Sequence, residues 1–190
     1  GLRQLRAGRE DALRAGDITA NRERARLSGD GADYRAALKP RLAFRHADAA
    51  TVGRAHELSN KTNQFNLALA RLTEAQAAAF ARDPDAAVIE AALSDALSDS
   101  GVVMALFARR QNDALVVEDL CISCRALGRG IEDAMILEAA LAAASKLGAK
   151  ALAFRHASSP RNGPARTWLQ TFSDAPLAES GLLTVTLQDA

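Results

Sequence analysis

At 190 residues, 48% of them hydrophobic, the chain has the length of one domain plus an appendage and the apolar content of an ordinary globular protein. Its 24 Lys and Arg against 23 Asp and Glu give a formal net charge of +1, and only 4% of residues are aromatic. This argues against a polyanion binder and against a base-stacking nucleic-acid platform. Cys121 and Cys124 are the only cysteines; on a strand they would point to opposite faces, and no other Cys/His cluster exists, so neither a disulfide nor a metal site is expected. No apolar run approaches the ~20 residues that span a bilayer and no signal peptide is visible, so the expected setting is a reducing cytoplasm without membrane contact. The chain starts at Gly1 inside a helical pattern and reads as a segment of something longer.

Residues 2–38 are rich in Arg and Ala, and Ser28-Gly29-Asp30-Gly31 interrupts them, which predicts two helical pieces joined by a turn. Residues 1–41 carry ten Lys/Arg against six Asp/Glu. The plain reading is a solvated linker helix; the sharper one is a dock for an acidic carrier protein. Pro40 opens a short strand over residues 41–45, and Asp48 is placed to cap a helix over residues 49–60. Ser59-Asn60-Lys61-Thr62-Asn63-Gln64-Phe65-Asn66-Leu67 then packs amide and hydroxyl side chains around one phenylalanine. Composition favours turns and caps here, and the same groups suit hydrogen bonding to a polar substrate. Thr62, Asn63, Gln64, Phe65 and Asn66 are therefore the substrate-binding candidates on this side.

Thr73-Glu74-Ala75-Gln76 carries the spacing of a capping box, starting a helix that runs to about Arg82 and stops at Asp83-Pro84-Asp85. Residues 86–93, 102–109 and 115–123 read as three strands separated by turn-rich segments, an antiparallel meander. A long Ala/Leu-rich helix over residues 131–147 ends at Gly148, followed by a strand over 151–154, a loop through Pro160 and Pro164, a helix over 165–172 and a last strand over 182–187. The hexapeptide Leu-Ala-Phe-Arg-His-Ala occurs at residues 42–47 and again at 152–157, with nothing around it repeating.

The stretch with most chemical content joins the third meander strand to the long helix. Arg125-Ala126-Leu127-Gly128-Arg129-Gly130 lies where a helix N-terminus presents unpartnered amides and partial positive charge, and glycine permits close approach to the backbone. Such a corner can hold a pyrophosphate; it can also be a turn that needs glycine for positive φ alone. A dinucleotide fingerprint fails because Asp133 stands where the third glycine belongs, and no Walker Lys-Ser/Thr follows. The Arg-x-x-Gly-x-Gly pattern resembles the coenzyme A loop of the Gcn5-related N-acetyltransferase (GNAT) superfamily. With the element order, it implies an α+β, GNAT-like mixed and largely antiparallel sheet flanked by helices. The expected domains are a helical linker over residues 1–38 and a GNAT-like domain over residues 39–190.

A narrower resemblance rests on two motifs. Lys61-Thr62-Asn63-Gln64-Phe65-Asn66-Leu67 with Arg71-Leu72-Thr73-Glu74, and Ile122-Ser123-Cys124-Arg125-Ala126-Leu127-Gly128-Arg129-Gly130-Ile131-Glu132-Asp133, resemble signatures of the C-terminal domain of the FkbH-like family. The Asp99-Ser100-Gly101 turn and the Asn162-x-Pro164 loop also resemble pieces of that family, over roughly residues 21–172. The resemblance implies an upstream haloacid-dehalogenase-type (HAD-type) domain, loading of a glyceryl unit onto an acyl carrier protein, and a role in polyketide or related biosynthesis. It also implies a phosphopantetheine thioester as cofactor, on coenzyme A or on the carrier. Ile122, Ser123, Cys124, Arg125, Gly128, Arg129, Gly130, Ile131 and Asn162 would then be the cofactor-binding residues.

Acyl transfer needs a held thioester arm, a polarised carbonyl and a nucleophile. Backbone amides near Ile122, Ser123 and Cys124 are candidates for the second task. Glu118, inside an apolar strand, reads either as a desolvated general base or as a carboxylate in solvent or paired with an arginine. Cys124, beside Arg125 and near a helix N-terminus, is the candidate nucleophile, against a buried structural thiol. His156, at a strand end, is a substrate candidate more than a catalyst, and His46 and His56 carry no supporting pattern. Where GNAT enzymes often have a tyrosine that protonates the departing thiolate, this chain has Leu169; its one tyrosine is Tyr34. Thiol-to-thiol exchange needs that acid less. Three readings stay open: thioester-dependent acyl or glyceryl transfer, a catalytically silent carrier-docking module, and an acetyl-CoA-dependent N-acetyltransferase.

Overall fold

The computed structural model describes residues 12, 13, 16, 17, 20 and 38–185. In chain order it contains β1 (Arg41–His46), α1 (Gly53–Lys61), β2 (Phe65–Asn66), α2 (Glu74–Arg82), β3 (Ala86–Ser94), β4 (Asp99–Gln111), β5 (Ala114–Ile122), α3 (Glu132–Leu147), β6 (Ala151–Ala157), α4 (Gly163–Gln170) and β7 (Ser180–Val185). The seven strands form one sheet in the order β1-β3-β4-β5-β6-β7, with β2 added against β5. Only β5 and β6 run parallel; every other pair is antiparallel. The fold is thus the α+β layout expected, a mixed and mostly antiparallel sheet flanked by four helices among the described residues. Most of the expected linker over residues 1–38 lies outside the described residues.

Each face of the sheet buries its own core. On one side α3 and α4 bring Met135, Ile136, Ala139, Ala143, Trp168 and Leu169 against Leu106, Leu120, Ile122 and Phe154. On the other, α1 and α2 bring Ala55, Leu58, Ala77 and Phe80 against Val88, Ala105, Phe107 and Cys121. Small alanines on the helix faces let backbones approach the sheet closely, and aromatic pairs fill the remainder, Phe80 on Phe107 at 5.7 Å and Trp168 on Phe154 at 5.4 Å.

Local signals account for several boundaries. The Thr73 hydroxyl accepts from the Gln76 amide at 3.2 Å, while Gln76 accepts from the Thr73 amide at 2.8 Å, closing the capping box. Gly148 ends α3 in the left-handed region at φ 67°, where a Cβ would be strained. Helix α1 begins later than expected, at Gly53. Asp48 spends its carboxylate on the amides of Ala50 and Thr51, each at 2.9 Å, and so caps a turn over residues 49–52 rather than the helix. At the observed start of α1 a first-turn amide finds a distant partner: Ala55 donates to Glu90 Oε1 at 2.9 Å. Strand β2 was not foreseen, and the last strand starts two residues before its expected position, at Ser180.

Candidate active site

The site is built where β5 and β6 part. They pair over residues 114–117 and 151–154 only. At the end of that pairing β5 carries one extra residue, Glu118, since Val117 faces Ala108 while Asp119 faces Phe107. Such a bulge bends the strand and raises its twist. The gap that opens is filled by the chain itself. Phe65 and Asn66 pair with Ile122 and Cys121, the Leu67 amide donates to the Leu120 carbonyl at 3.0 Å, and Ala157 donates to the Leu67 carbonyl at 2.8 Å. Two buried amides hold this insertion. Asn162 donates to the carbonyls of Asn66 and Ala157 at 2.9 and 2.8 Å, and Asn66 donates to Ser59 at 3.1 Å.

Past Ile122 the chain turns under α1. The Ser123 amide donates to the Val103 carbonyl at 2.7 Å and its carbonyl accepts from Ala126 at 3.0 Å, which leaves the Cys124 thiol exposed. It lines a cavity of about 620 Å³ together with one stripe of α1: Arg54, Glu57, Leu58 and Lys61. Spacings of three and four residues place these four on one helix face. Thr62, Asn63 and Gln64, which follow the helix, also line it, and Ser123, Arg125 and Asp17 complete the lining. Glu57 sits between Arg54 at 2.7 Å and Lys61 at 2.5 Å. Burial raises its pKa, but the hydrogen bonds from Lys61 and Arg54 win and hold it below its ordinary value. The cavity lining therefore combines three cations, two carboxylates and a thiol with amide and hydroxyl groups.

Arg71 fixes the chain where it leaves α1. Its Nη1 donates to the carbonyls of Ser59, Asn60 and Thr62 at 2.7, 2.8 and 3.0 Å, the groups that the C-terminus of α1 leaves without helical partners. Its Nη2 donates to the Asn63 side chain. Beneath α1, the Ser59 hydroxyl donates to Asp119 at 2.5 Å, and burial pushes that carboxyl up to about 6 against the Ser59 hydrogen bond. Burial also raises the neighbouring Cys121 thiol well above its ordinary value.

The glycine loop is closed by its own acids. Gly128 and Gly130 have φ of 77° and 67°. The Gly128 amide donates to Glu132 Oε1 at 2.5 Å and the Ile131 amide to Glu132 Oε2 at 3.0 Å. Arg129 turns inward to Asp95 at 3.2 Å and Ser100 at 3.1 Å. Arg125 approaches Asp17 at 3.6 Å, and the same Asp17 accepts from Ser98 and Ser100 at 2.8 and 2.7 Å.

The structure brings Cys124, Ser123, Arg125, Thr62, Asn63 and Gln64 into one cavity. Phe65 and Asn66 lie instead in the sheet interior, and Asn162 is buried with its amide spent on backbone. His156 is buried on the far strand, 3.5 Å from Arg166, and burial lowers its pKa. Glu118 pairs with Arg155 and accepts from Gln111 at 3.2 Å, the ion-paired alternative. Asp17, Arg54 and Glu57 were not singled out by sequence, and Lys61 only as part of a motif. The α1 stripe is legible as spacing, yet a polar stripe reads by default as a solvated face; Asp17 gives no local signal at all. Among the described residues there is no group of three or more His, Cys, Asp or Glu fit for a metal ion, and no helix long and apolar enough to cross a membrane.

No protein-family profile matches the sequence, and no curated protein matches it. Solved structures do match in shape. The ribosomal-protein-S18-alanine N-acetyltransferase from Escherichia coli superposes with a TM-score of 0.55 at 11% identity, covering 79% of this chain and 96% of that one. The diaminobutyrate acetyltransferase from Paenibacillus lautus, in complex with L-2,4-diaminobutyric acid and coenzyme A, gives 0.55 at 15% identity, with 79% and 98% covered. The GNAT domain of S. lividans PAT gives 0.51 at 16% identity, with 77% and 90% covered. What the chain shares with these proteins is the GNAT acetyltransferase fold.

Proposed function

We propose that this GNAT-fold domain acts on the phosphopantetheine thioester of an acyl carrier protein and takes part in acyl or glyceryl transfer, as the FkbH-like resemblance implies. The observation that carries the reading is the cavity that the exposed Cys124 thiol lines together with Arg54, Lys61, Arg125, Thr62, Asn63 and Gln64. Cys124 Sγ attacks the thioester carbonyl carbon, the new C–S bond forms, and the arm's sulfur departs and takes up the proton the Cys124 thiol gave up. One thioester is exchanged for another, so the step is close to balanced and needs no strong acid for the leaving group. Negative charge developing on the carbonyl oxygen is met by the cavity's cations. A glyceryl group offers hydroxyls to the amide and hydroxyl wall at Thr62, Asn63 and Gln64. On this reading the domain works in the cytoplasm beside an upstream HAD-type domain, in polyketide or related biosynthesis.

A docking module is the second reading, favoured by Leu169, which is buried on α4 where a tyrosine acid would be looked for. Turnover of acyl-loaded carrier protein separates the two. Cys124→Ala lowers it by about 100-fold or more if the domain transfers the group, and undiminished turnover would leave only docking.

A further inference from the structure

Coenzyme A and a carrier-tethered arm share the pantetheine thioester and differ in their phosphates. Coenzyme A carries a diphosphate, whereas the tethered arm carries a single phosphodiester. To seat a diphosphate, the loop between β5 and α3 must turn backbone amides and cations towards it. Here both kinds of group are engaged. The Gly128 and Ile131 amides hold the two oxygens of Glu132 at 2.5 and 3.0 Å. On the other side of the loop, Arg129 and Arg125 have side chains only 6% and 9% exposed. They face Asp95, Asp17 and Ser100 rather than solvent. Asp133 adds another carboxylate in the first turn of α3, accepting from Trp168 at 2.8 Å. The fold's expected cofactor thus does not fit this loop as the residues stand: an incoming diphosphate meets carboxylates where it needs donors.

We propose that Glu132 is a specificity-determining residue that occupies the diphosphate seat with its own carboxylate, so that the domain discriminates against coenzyme A in favour of pantetheine arms without a diphosphate. This rests on the thioester reading given above. The physical basis is competition for the same amides: charge-assisted hydrogen bonds to an intramolecular carboxylate carry no association cost, whereas a diphosphate must displace them and then sit beside the displaced charge.

Isothermal titration of the chain with coenzyme A, 4′-phosphopantetheine and pantetheine tests this without relying on turnover. The wild type is expected to bind coenzyme A no tighter than 4′-phosphopantetheine. Glu132→Ala is expected to gain at least about tenfold for coenzyme A and nothing for pantetheine, with Glu132→Gln gaining less because one acceptor stays. A wild type that binds coenzyme A tighter than 4′-phosphopantetheine, or a Glu132→Ala protein with unchanged affinity for coenzyme A, overturns the proposal. The thioester reading fails separately. If the wild type binds neither pantetheine compound while Glu132→Ala acquires coenzyme A, the seat is real and the transfer reading falls.

Discussion

Arg71 shows how one side chain can join two motifs that are separate in sequence. Its guanidinium terminates α1 by taking the carbonyls of Ser59, Asn60 and Thr62, and it sets the Asn63 side chain that walls the cavity. Arg71→Ala removes a donor from all three carbonyls, with Asn66 still donating to Ser59, and is expected to cost on the order of 2–3 kcal/mol, read as a lower urea midpoint at unchanged m-value. A second residue-scale prediction concerns pH. Burial lifts Asp119 from an ordinary 3.8 to about 6, so the native state holds this proton where the unfolded chain has lost it. The penalty is absent below the lower value, grows as pH rises, and is complete above the upper one, amounting to roughly 3 kcal/mol. Glu90, also raised by burial, titrates alike in wild type and variant. Asp119→Asn removes only the first contribution. Urea titrations between about pH 4 and pH 7 should show the wild type losing stability relative to the variant as pH rises; parallel curves would contradict the assignment.

Among elements, the two-residue β2 decides the shape of the site, because it closes the gap between β5 and β6. Asn162 spans the joint by donating to Asn66 and Ala157. Asn162→Ala should cost about 2 kcal/mol by leaving two carbonyls short of a donor. Combined with Asn66→Ala it should cost less than the sum, since both side chains serve one joint; thermal melts of the double-mutant cycle check this. Strict additivity would mean that the two amides act independently. Why some elements were legible and β2 was not follows from where their causes lie. The capping box of α2, the Gly148 stop and the meander are written in residues a few positions apart. Strand β2 is too short for any periodicity and is held by β5, more than fifty residues away, and by Asn162, nearly a hundred away. The repeated hexapeptide makes the same point: Phe44 is 36% exposed on edge strand β1, whereas Phe154, in identical local sequence, is 1% exposed on β6. Local sequence gives the strand, and position in the sheet gives its burial.

For the whole molecule, the α+β sheet with helices on both faces was readable because amphipathic periods and turn residues agree along most of the chain. The candidate site was readable only in part. Cys124 and the polar run at Thr62, Asn63 and Gln64 line one cavity. Of the loop's charges, Arg125 lines that cavity beside Asp17, whereas Arg129 turns to Asp95 and Ser100; Asp17 and Asp95 come from segments that no local pattern connects to the loop. The fold neighbours fix the architecture, and the cavity around Cys124 carries the functional claim. Intact-mass and peptide mass spectrometry of the chain, after incubation with a carrier protein loaded with a hydroxyacyl thioester, tests that claim most directly. The account predicts a mass increase equal to the acyl group on the peptide containing Cys124, absent in Cys124→Ala. A carrier that keeps its acyl group beside an unmodified Cys124 would contradict it.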